Sequence, residues 1–430
     1  MVSAPMHGMT AALRAKIPDP LALARLADWL AAGVAVSLPW STSATSVLIA
    51  LWLAAVLPTL SIDRVRRELA TAAGGLPVLL WALAAVGLVW ADAAWSERLA
   101  DFARYQRLLA IPLLLAQFRR SEHGFWVFYG YLASALSVLA ASFALALVPG
   151  LSWRGVEFGV PAKDYIFQGE SLALCALALI GVACERGRGG QWRAALGLIA
   201  VAALFLADIF FVATGRSLLL VLPLLAVFVG WQQFAWKGLL AAGLAGCLVG
   251  TAVWFASPYL RTRLSDSVAE FAAYRATDAN SSTAMHLEFL RKSLQIVATA
   301  PVIGHGTGSM SEQFRRVTSG STGASSVVTV NPHNQILAVA IQLGLVGAGV
   351  LVAMWIAHLL LFRGASLAAL VGAIMVIETA VTSLFNSHLF DFTQGWLYVF
   401  GVGVAGGMVL RDRTGASGAV VADVPQATKA

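Results

Sequence analysis

Apolar segments of about 17 to 25 residues recur along almost the whole chain, and no other feature restricts its folding as much. Each is long enough to cross a hydrocarbon core as a helix, which satisfies every backbone amide within the segment. Of 430 residues, 59% are hydrophobic and 12% charged, with mean hydropathy +0.78, whereas soluble domains carry about 25% charged residues. The alternating ten-residue segments of a membrane β-barrel are missing. The expected fold class is an all-α polytopic membrane protein.

Twelve spans are predicted near 25–39, 42–60, 76–95, 108–118, 125–148, 168–184, 194–212, 218–231, 238–256, 334–361, 366–385 and 394–410. They divide the chain into an N-terminal segment (1–24), nine spans (25–256), one long polar loop (257–333), three further spans (334–410) and a tail (411–430) that reads as disordered. Arg14 and Lys16 are followed by no compact apolar core with a small-residue cleavage site, so a cleaved signal peptide is not expected. Cys175, Cys184 and Cys247 fall in or beside spans and read as small buried hydrophobes.

A net charge of +7 invites a nucleic-acid partner, but the cations are scattered over short loops, and membrane orientation accounts for most of them. Arg64, Arg66 and Arg67, Arg119 and Arg120, Arg186, Arg188 and Arg193, Lys237, Arg363, Arg411 and Arg413 occupy alternate loops and mark a cytoplasmic side. Both termini then lie in the cytoplasm, and the long loop faces the periplasm if the cell is Gram-negative. Arg98, Arg104, Arg107, Arg154, Lys163, Arg216, Arg261, Arg263, Arg275, Arg291, Lys292, Arg315 and Arg316 lie on the outer side, where orientation does not call for them. An anionic ligand at that face is the simplest cause; snorkelling to lipid phosphates is the alternative.

Within the long loop, Thr283 to Ala300 has helical periodicity, with Leu287, Leu290, Leu294 and Val297 on one face and Glu288, Arg291, Lys292 and Gln295 on the other. It reads as a helix lying on the membrane or capping a cavity, with Glu288 and Lys292 as an ordinary surface pair. The glycines of Pro301–Ser309 either end that helix or build an amide nest for phosphate.

Three features converge on the outer face. Arg216, between two spans, either pairs with Asp208 or binds an anion, for which its planar fork is suited. His333 directly precedes an apolar helix, whose dipole disfavours the imidazolium and leaves the ring available as a general base; a capping histidine is the plainer alternative. In the turn Asn386-Ser387-His388-Leu389-Phe390-Asp391, either Asp391 or His388 is placed to orient His333 or a sugar hydroxyl. Intramembrane Glu378 and Asp208 are functional candidates, or helix-to-helix hydrogen bonds. No spacing of His and carboxylates suggests a metal site or an Asp-X-Asp sugar-nucleotide motif, and no cofactor is expected.

Thr214-Gly215-Arg216-Ser217, Leu287-Glu288-Phe289-Leu290-Arg291-Lys292-Ser293-Leu294, the glycine-rich run 301–309, and His333-Asn334-Gln335-Ile336-Leu337 followed by Gln342-Leu343-Gly344-Leu345-Val346-Gly347 resemble, in order over about residues 210 to 350, the bacterial O-antigen ligase and polymerase superfamily. The resemblance implies a metal-independent, inverting glycosyltransferase of the inner membrane with its active site facing the periplasm. The donor would be an undecaprenyl diphosphate-linked glycan, and the ligase acceptor a sugar of the lipid A core. It implies that Arg216 and His333 are the family's essential arginine and histidine. His286 stands where the family usually has an arginine, and Arg291, Arg261 or Arg263 would supply that phosphate contact. Arg216 and Arg291, with Arg104 or Arg107, would hold the diphosphate, and Lys163 and Asp391 complete the expected substrate-binding set.

The nearest rival is the polymerase, whose acceptor is a second lipid-linked repeat. A protein O-oligosaccharyltransferase would usually carry additional downstream sequence. A transporter would show internal repeats and helices broken at mid-membrane, and the sequence suggests neither.

Overall fold

A computed structural model of the protein describes residues 19–148, 150–151, 158–213, 215–258, 260–262, 265–266, 269–270, 272 and 281–422. All regular structure among them is helical. The chain begins with α1 (Pro20–Ser37), α2 (Thr42–Val56), α3 (Ile62–Leu69), α4 (Ala72–Gly87), α5 (Trp95–Tyr105), α6 (Ala110–Phe118) and α7 (Gly124–Leu147). It continues through α8 (Tyr165–Arg188), α9 (Trp192–Phe211), α10 (Arg216–Ala256), α11 (Ser282–Thr299), α12 (Met310–Thr318), α13 (Gln335–Leu361), α14 (Leu367–Thr382) and α15 (Phe392–Ala422). Asp19, Ser41, Thr71, Asp164, Ser281, Asn334 and Ser366 each accept a first-turn amide with the side-chain oxygen and so fix where a helix starts.

Each of the twelve expected apolar segments coincides with a helix. Only eight helices among the described residues are long and apolar enough to cross a membrane, or nine if α3 and α4, bent by 89°, form one span. Two causes account for the difference. The helices α4, α6 and α14 are short, with 16, 9 and 16 residues. In addition, segments 218–231 and 238–256 belong to one 41-residue helix, α10, with a break at Ala235 (φ 50°, ψ −136°).

A straight helix of that length would run about 60 Å, twice a hydrocarbon core of about 30 Å. It folds back instead. Gly230 and Gly238 lie backbone against backbone, so that a Cβ on Gly238 would stand 1.7 Å from the Gly230 carbonyl oxygen. Small residues permit such an approach between membrane helices.

The spans α8 and α15 form the centre, each with 78% of its apolar window buried, while only 6% of that of α10 is buried. The basic loops gather at one end of the bundle. There Arg119 pairs with Glu68 at 2.9 Å, Arg411 donates to the Ser121 carbonyl at 2.7 Å, Arg413 to that of Leu361 at 2.8 Å and Arg188 to the Gln233 side chain at 2.5 Å. His333 lies at the other end. The helix α15 continues through Ala422, past the expected boundary at 410; residues 1–18 and 423–430 lie outside the described set.

Gly238→Val should lower the melting temperature in detergent, reflecting an overpacking cost of about 1–3 kcal/mol or more. Gly243→Val, with nothing within 4 Å of a new Cβ, should leave the melting temperature nearly unchanged.

Candidate active site

The glycine-rich run and the helix that follows His333 are two halves of one structure. Within α13, Gly344 takes φ 67° and ψ −167° and breaks the helix inside an apolar span, a break that the sequence does not suggest. In an unbroken helix the amides of Leu345 and Val346 would bond the carbonyls of Ile341 and Gln342. Here the glycine-rich turn inserts between them. The amides of His305 and Gly306 reach those carbonyls at 2.9 and 2.8 Å, and Leu345 and Val346 donate to the Pro301 and Val302 carbonyls at 2.7 and 3.2 Å.

Gly304, Gly306 and Gly308 have φ of 68°, 89° and 90°, and each presses against another stretch of backbone, at 342–344, Ala91 and Arg98 respectively. The amides from 304 to 309 are all bonded within the protein. The nest reading is therefore replaced: these donors satisfy a broken helix and its neighbours, and none points to a phosphate.

The docked turn fixes α13, whose cap Asn334 follows His333. His333 itself has φ 53°, a left-handed conformation uncommon outside glycine, and its amide donates to Asn331 Oδ1 at 2.9 Å. Asn331 Nδ2 donates to Asn386 Oδ1 at 2.7 Å, and Asn386 Nδ2 to Asp391 Oδ2 at 3.2 Å. The Asn386 side chain lies beside the His333 ring, its oxygen also accepting from the Ser387 amide at 2.9 Å. On its other side, α11 brings the His286 and Phe289 rings to centroid distances of 4.3 and 5.8 Å. Burial draws the imidazole below its ordinary 6.5, against the opposing influence of Asn386 and Asp391. The direction is the one expected from sequence, but the leading cause is burial rather than a helix dipole.

Of the expected residues, Asp391 and His388 join His333 in one cluster. His388, 2% exposed, stands between two carboxylates, with Nε2 3.1 Å from Glu170 Oε1 and Nδ1 3.5 Å from Asp391 Oδ2. Neither contact is aligned as a hydrogen bond. Burial works against the charged ring, yet the two carboxylates outweigh it and lift His388 above 6.5. The sequence analysis did not single out Glu170; the available signal was a carboxylate in the second turn of an apolar helix.

Most of the described outer cations are bound by the protein. Arg107 is buried and donates to the Phe390, Asp391 and Phe392 carbonyls, bracing the loop that carries His388. Arg104 pairs with Asp101 at 3.2 Å, Arg291 with Glu288 at 2.8 Å, and Arg261 donates to the Trp254 carbonyl at 2.8 Å. Arg315 reaches Glu97 and Glu312, and Arg316 reaches Asp92 and Glu312. An excess of cations is thus no longer an argument for an anion by itself. Lys163, with φ 62°, precedes the Asp164 cap of α8. Arg154, Arg263 and Arg275 lie outside the described residues, as does the side chain of Arg216. The backbone of Arg216 opens α10 beside α8, where Leu218 meets Gly169, the neighbour of Glu170.

Two further expectations change. The loop helix α11 is not sorted by polarity: Glu288 and Lys292 are 4% and 1% exposed, while Leu290 and Leu294 are 42% and 54% exposed, on the same side as exposed Arg291 and Gln295. Asp208 accepts from Ser142 and from Gln168 Nε2, so this carboxylate ties α7, α8 and α9 together. Among the described residues no three His, Cys, Asp or Glu side chains converge as a metal-ligand set.

Fold and site together define a polytopic helical membrane protein with a half-buried histidine held by an Asn–Asp–His–Glu cluster at one end. A model of the O-antigen ligase family matches residues 200–352, from α9 through α13, and supports membership of the O-antigen ligase and polymerase superfamily. These are glycosyltransferase-type enzymes of O-antigen and lipopolysaccharide processing. No curated protein sequence matches the chain.

Gly344→Ala would set a Cβ 2.1 Å from the Val302 carbonyl oxygen at a backbone angle hostile to alanine. It should destabilise by about 2–4 kcal/mol, measured as a fall in melting temperature. Gly349→Ala, with open space around it, should gain about 0.5–1 kcal/mol through helix propensity.

Proposed function

We propose that this protein is an O-antigen ligase. It moves glycan from an undecaprenyl diphosphate-linked donor to a hydroxyl of a lipid A-core acceptor at the periplasmic face of the inner membrane, completing lipopolysaccharide. The observation that carries this reading is His333, an imidazole drawn towards its neutral form by burial and held by the Asn331–Asn386–Asp391 bonds within the matched segment and beside it. The gathering of basic loops at the opposite end supports a periplasmic position for this end.

A neutral imidazole near pH 7 accepts the hydroxyl proton as the acceptor oxygen attacks the anomeric carbon. The bond from that carbon to the diphosphate oxygen breaks, and the diphosphate leaves with the electron pair. Arg216, at the start of α10, supplies positive charge to the leaving group through a bidentate fork. The donor's charge is carried by arginine, so the reaction proceeds without a metal ion.

The test is transfer by the purified protein in detergent with EDTA, using the lipid-linked glycan and a lipid A-core acceptor. His333→Ala should lower kcat by about 10²–10⁴, and Arg216→Ala by about 10²–10³. Glycan that lengthens on its lipid carrier without any core acceptor would instead identify a polymerase. Transfer that persists undiminished in His333→Ala would rule out the assigned base. Because burial lowers the His333 pKa, its protonation, and with it the acid limb of kcat/KM, should fall below pH 6.5.

A further inference from the structure

A cavity of about 750 Å³ opens between α1, α7, α8, α9, α14 and α15 and shares no residue with the site described above. It lies in the half of the bundle that carries the basic loops, away from His333. Cys175, Ala178, Val182 and Arg186 line it from one face of α8 at helical spacing, and Ala194, Gly197 and Val201 do so from α9. The space exists because Ala178, Ala194 and Gly197 carry little or no side chain. A Cβ built on Gly197 would have nothing within 4 Å.

The chemistry of the walls restricts the occupant. Among the described residues that line the cavity, only Glu185 and Arg186 are charged, and the Tyr131 hydroxyl in its wall is already given to Ser171 Oγ at 2.7 Å. Water inside would lack the polar partners that hold a buried water, and an empty space would forfeit dispersion contacts along every wall. A hydrocarbon chain incurs neither cost. The depth sets which chain: from Arg186 to Cys175 along α8 is about 16 Å at the helical rise, close to half of a hydrocarbon core of about 30 Å, which is one leaflet.

The charged end carries both signs. Glu185 and Arg186 are exposed, and neither forms an ion pair among the described residues. Arg186 donates from Nη1 to Gln191 Oε1 at 2.8 Å and retains further N–H donors for a phosphate. The neighbouring Glu185 carboxylate attracts an ammonium group and repels a second negative charge.

We infer that this cavity binds one zwitterionic aminophospholipid, of the phosphatidylethanolamine type, from the leaflet opposite His333. One acyl chain fills the space between α8 and α9 as far as Tyr131 and Cys175, the phosphate meets Arg186, and the ammonium group meets Glu185. The site needs only a bundle that spans a membrane and is independent of the glycan-transfer reading. Its effect is on packing: Val371 and Met375 of α14 close one wall, and a lipid that binds only the folded bundle stabilises it.

Native mass spectrometry of the full-length protein, stripped of lipid in detergent and titrated with phosphatidylethanolamine, phosphatidylglycerol or a polyprenyl phosphate, tests this. Wild type should retain one phosphatidylethanolamine in preference to the other two and gain melting temperature with it. Gly197→Trp, whose ring enters the cavity, should abolish both the retained lipid and the thermal gain. Ala178→Phe, from the facing wall, should do the same, which covers the case in which Gly197→Trp fails to fold. Glu185→Gln should reduce the preference for the ethanolamine over the glycerol headgroup about 2- to 5-fold, and Arg186→Gln should weaken both phospholipids by about as much. Lipid retained unchanged by both cavity-filling variants would place it elsewhere and overturn the proposal. Tighter binding of polyprenyl phosphate than of either phospholipid, or no headgroup preference in wild type, would overturn it equally.

Discussion

The structure around the candidate site depends on a broken helix completed by a glycine-rich turn. Breaking α13 at Gly344 removes two hydrogen bonds and leaves four backbone groups that lipid cannot satisfy, each costing several kcal/mol if left unpaired. The turn 301–306 supplies partners for all four, at 2.7 to 3.2 Å. This exchange requires glycine at the break and along the turn, because backbone meets backbone with no room for a Cβ. It also joins α11, which leads into the turn, to the short segment of α13 that His333 precedes. Two sequence motifs separated by some thirty residues are thus a single physical unit.

That unit explains why His333 is half-buried between a loop helix and a turn from α14 to α15. The outward leucines of α11 leave its Glu288 and Lys292 enclosed, and the same helix turns His286 and Phe289 onto the His333 ring. On the far side, Asn386 and Asp391 are braced by Arg107 beneath the loop backbone and by His388 behind it. The base proposed here, set among three separate segments, needs such bracing, since catalysis tolerates little misplacement.

Much of this was legible in the sequence, and the remainder was hidden for definite reasons. Apolar run length located twelve helical segments, and His333, Asp391 and His388 stood out as polar residues at the mouths of apolar helices. The fold-back at Ala235 was not readable, because alanine rarely adopts φ 50° and the Gly230–Gly238 approach exists only once the two halves of α10 are folded together. The glycines 304–308 left open a helix end or a phosphate nest, and the structure packs them against backbone at 342–344, Ala91 and Arg98 instead of a phosphate. The α11 periodicity gave a helix but not its enclosed side, which takes Ala284, Glu288, Phe289, Lys292 and Ile296 because packing against the rest of the protein, and not polarity, selects it. Arg107 read as a ligand cation because its true acceptors, the carbonyls of 390–392, lie almost three hundred residues away. Glu170 was passed over inside an apolar span whose only sign of function was the carboxylate itself.

The account's central claim is a single displacement in which His333 deprotonates the acceptor hydroxyl as it attacks the anomeric carbon. The most direct test is the configuration of the newly formed glycosidic bond, read by NMR of the transfer product against that of the diphosphate-linked donor. The account predicts inversion at the anomeric carbon. Retention would require two successive displacements through a covalent glycosyl-enzyme, and would contradict the role given to His333.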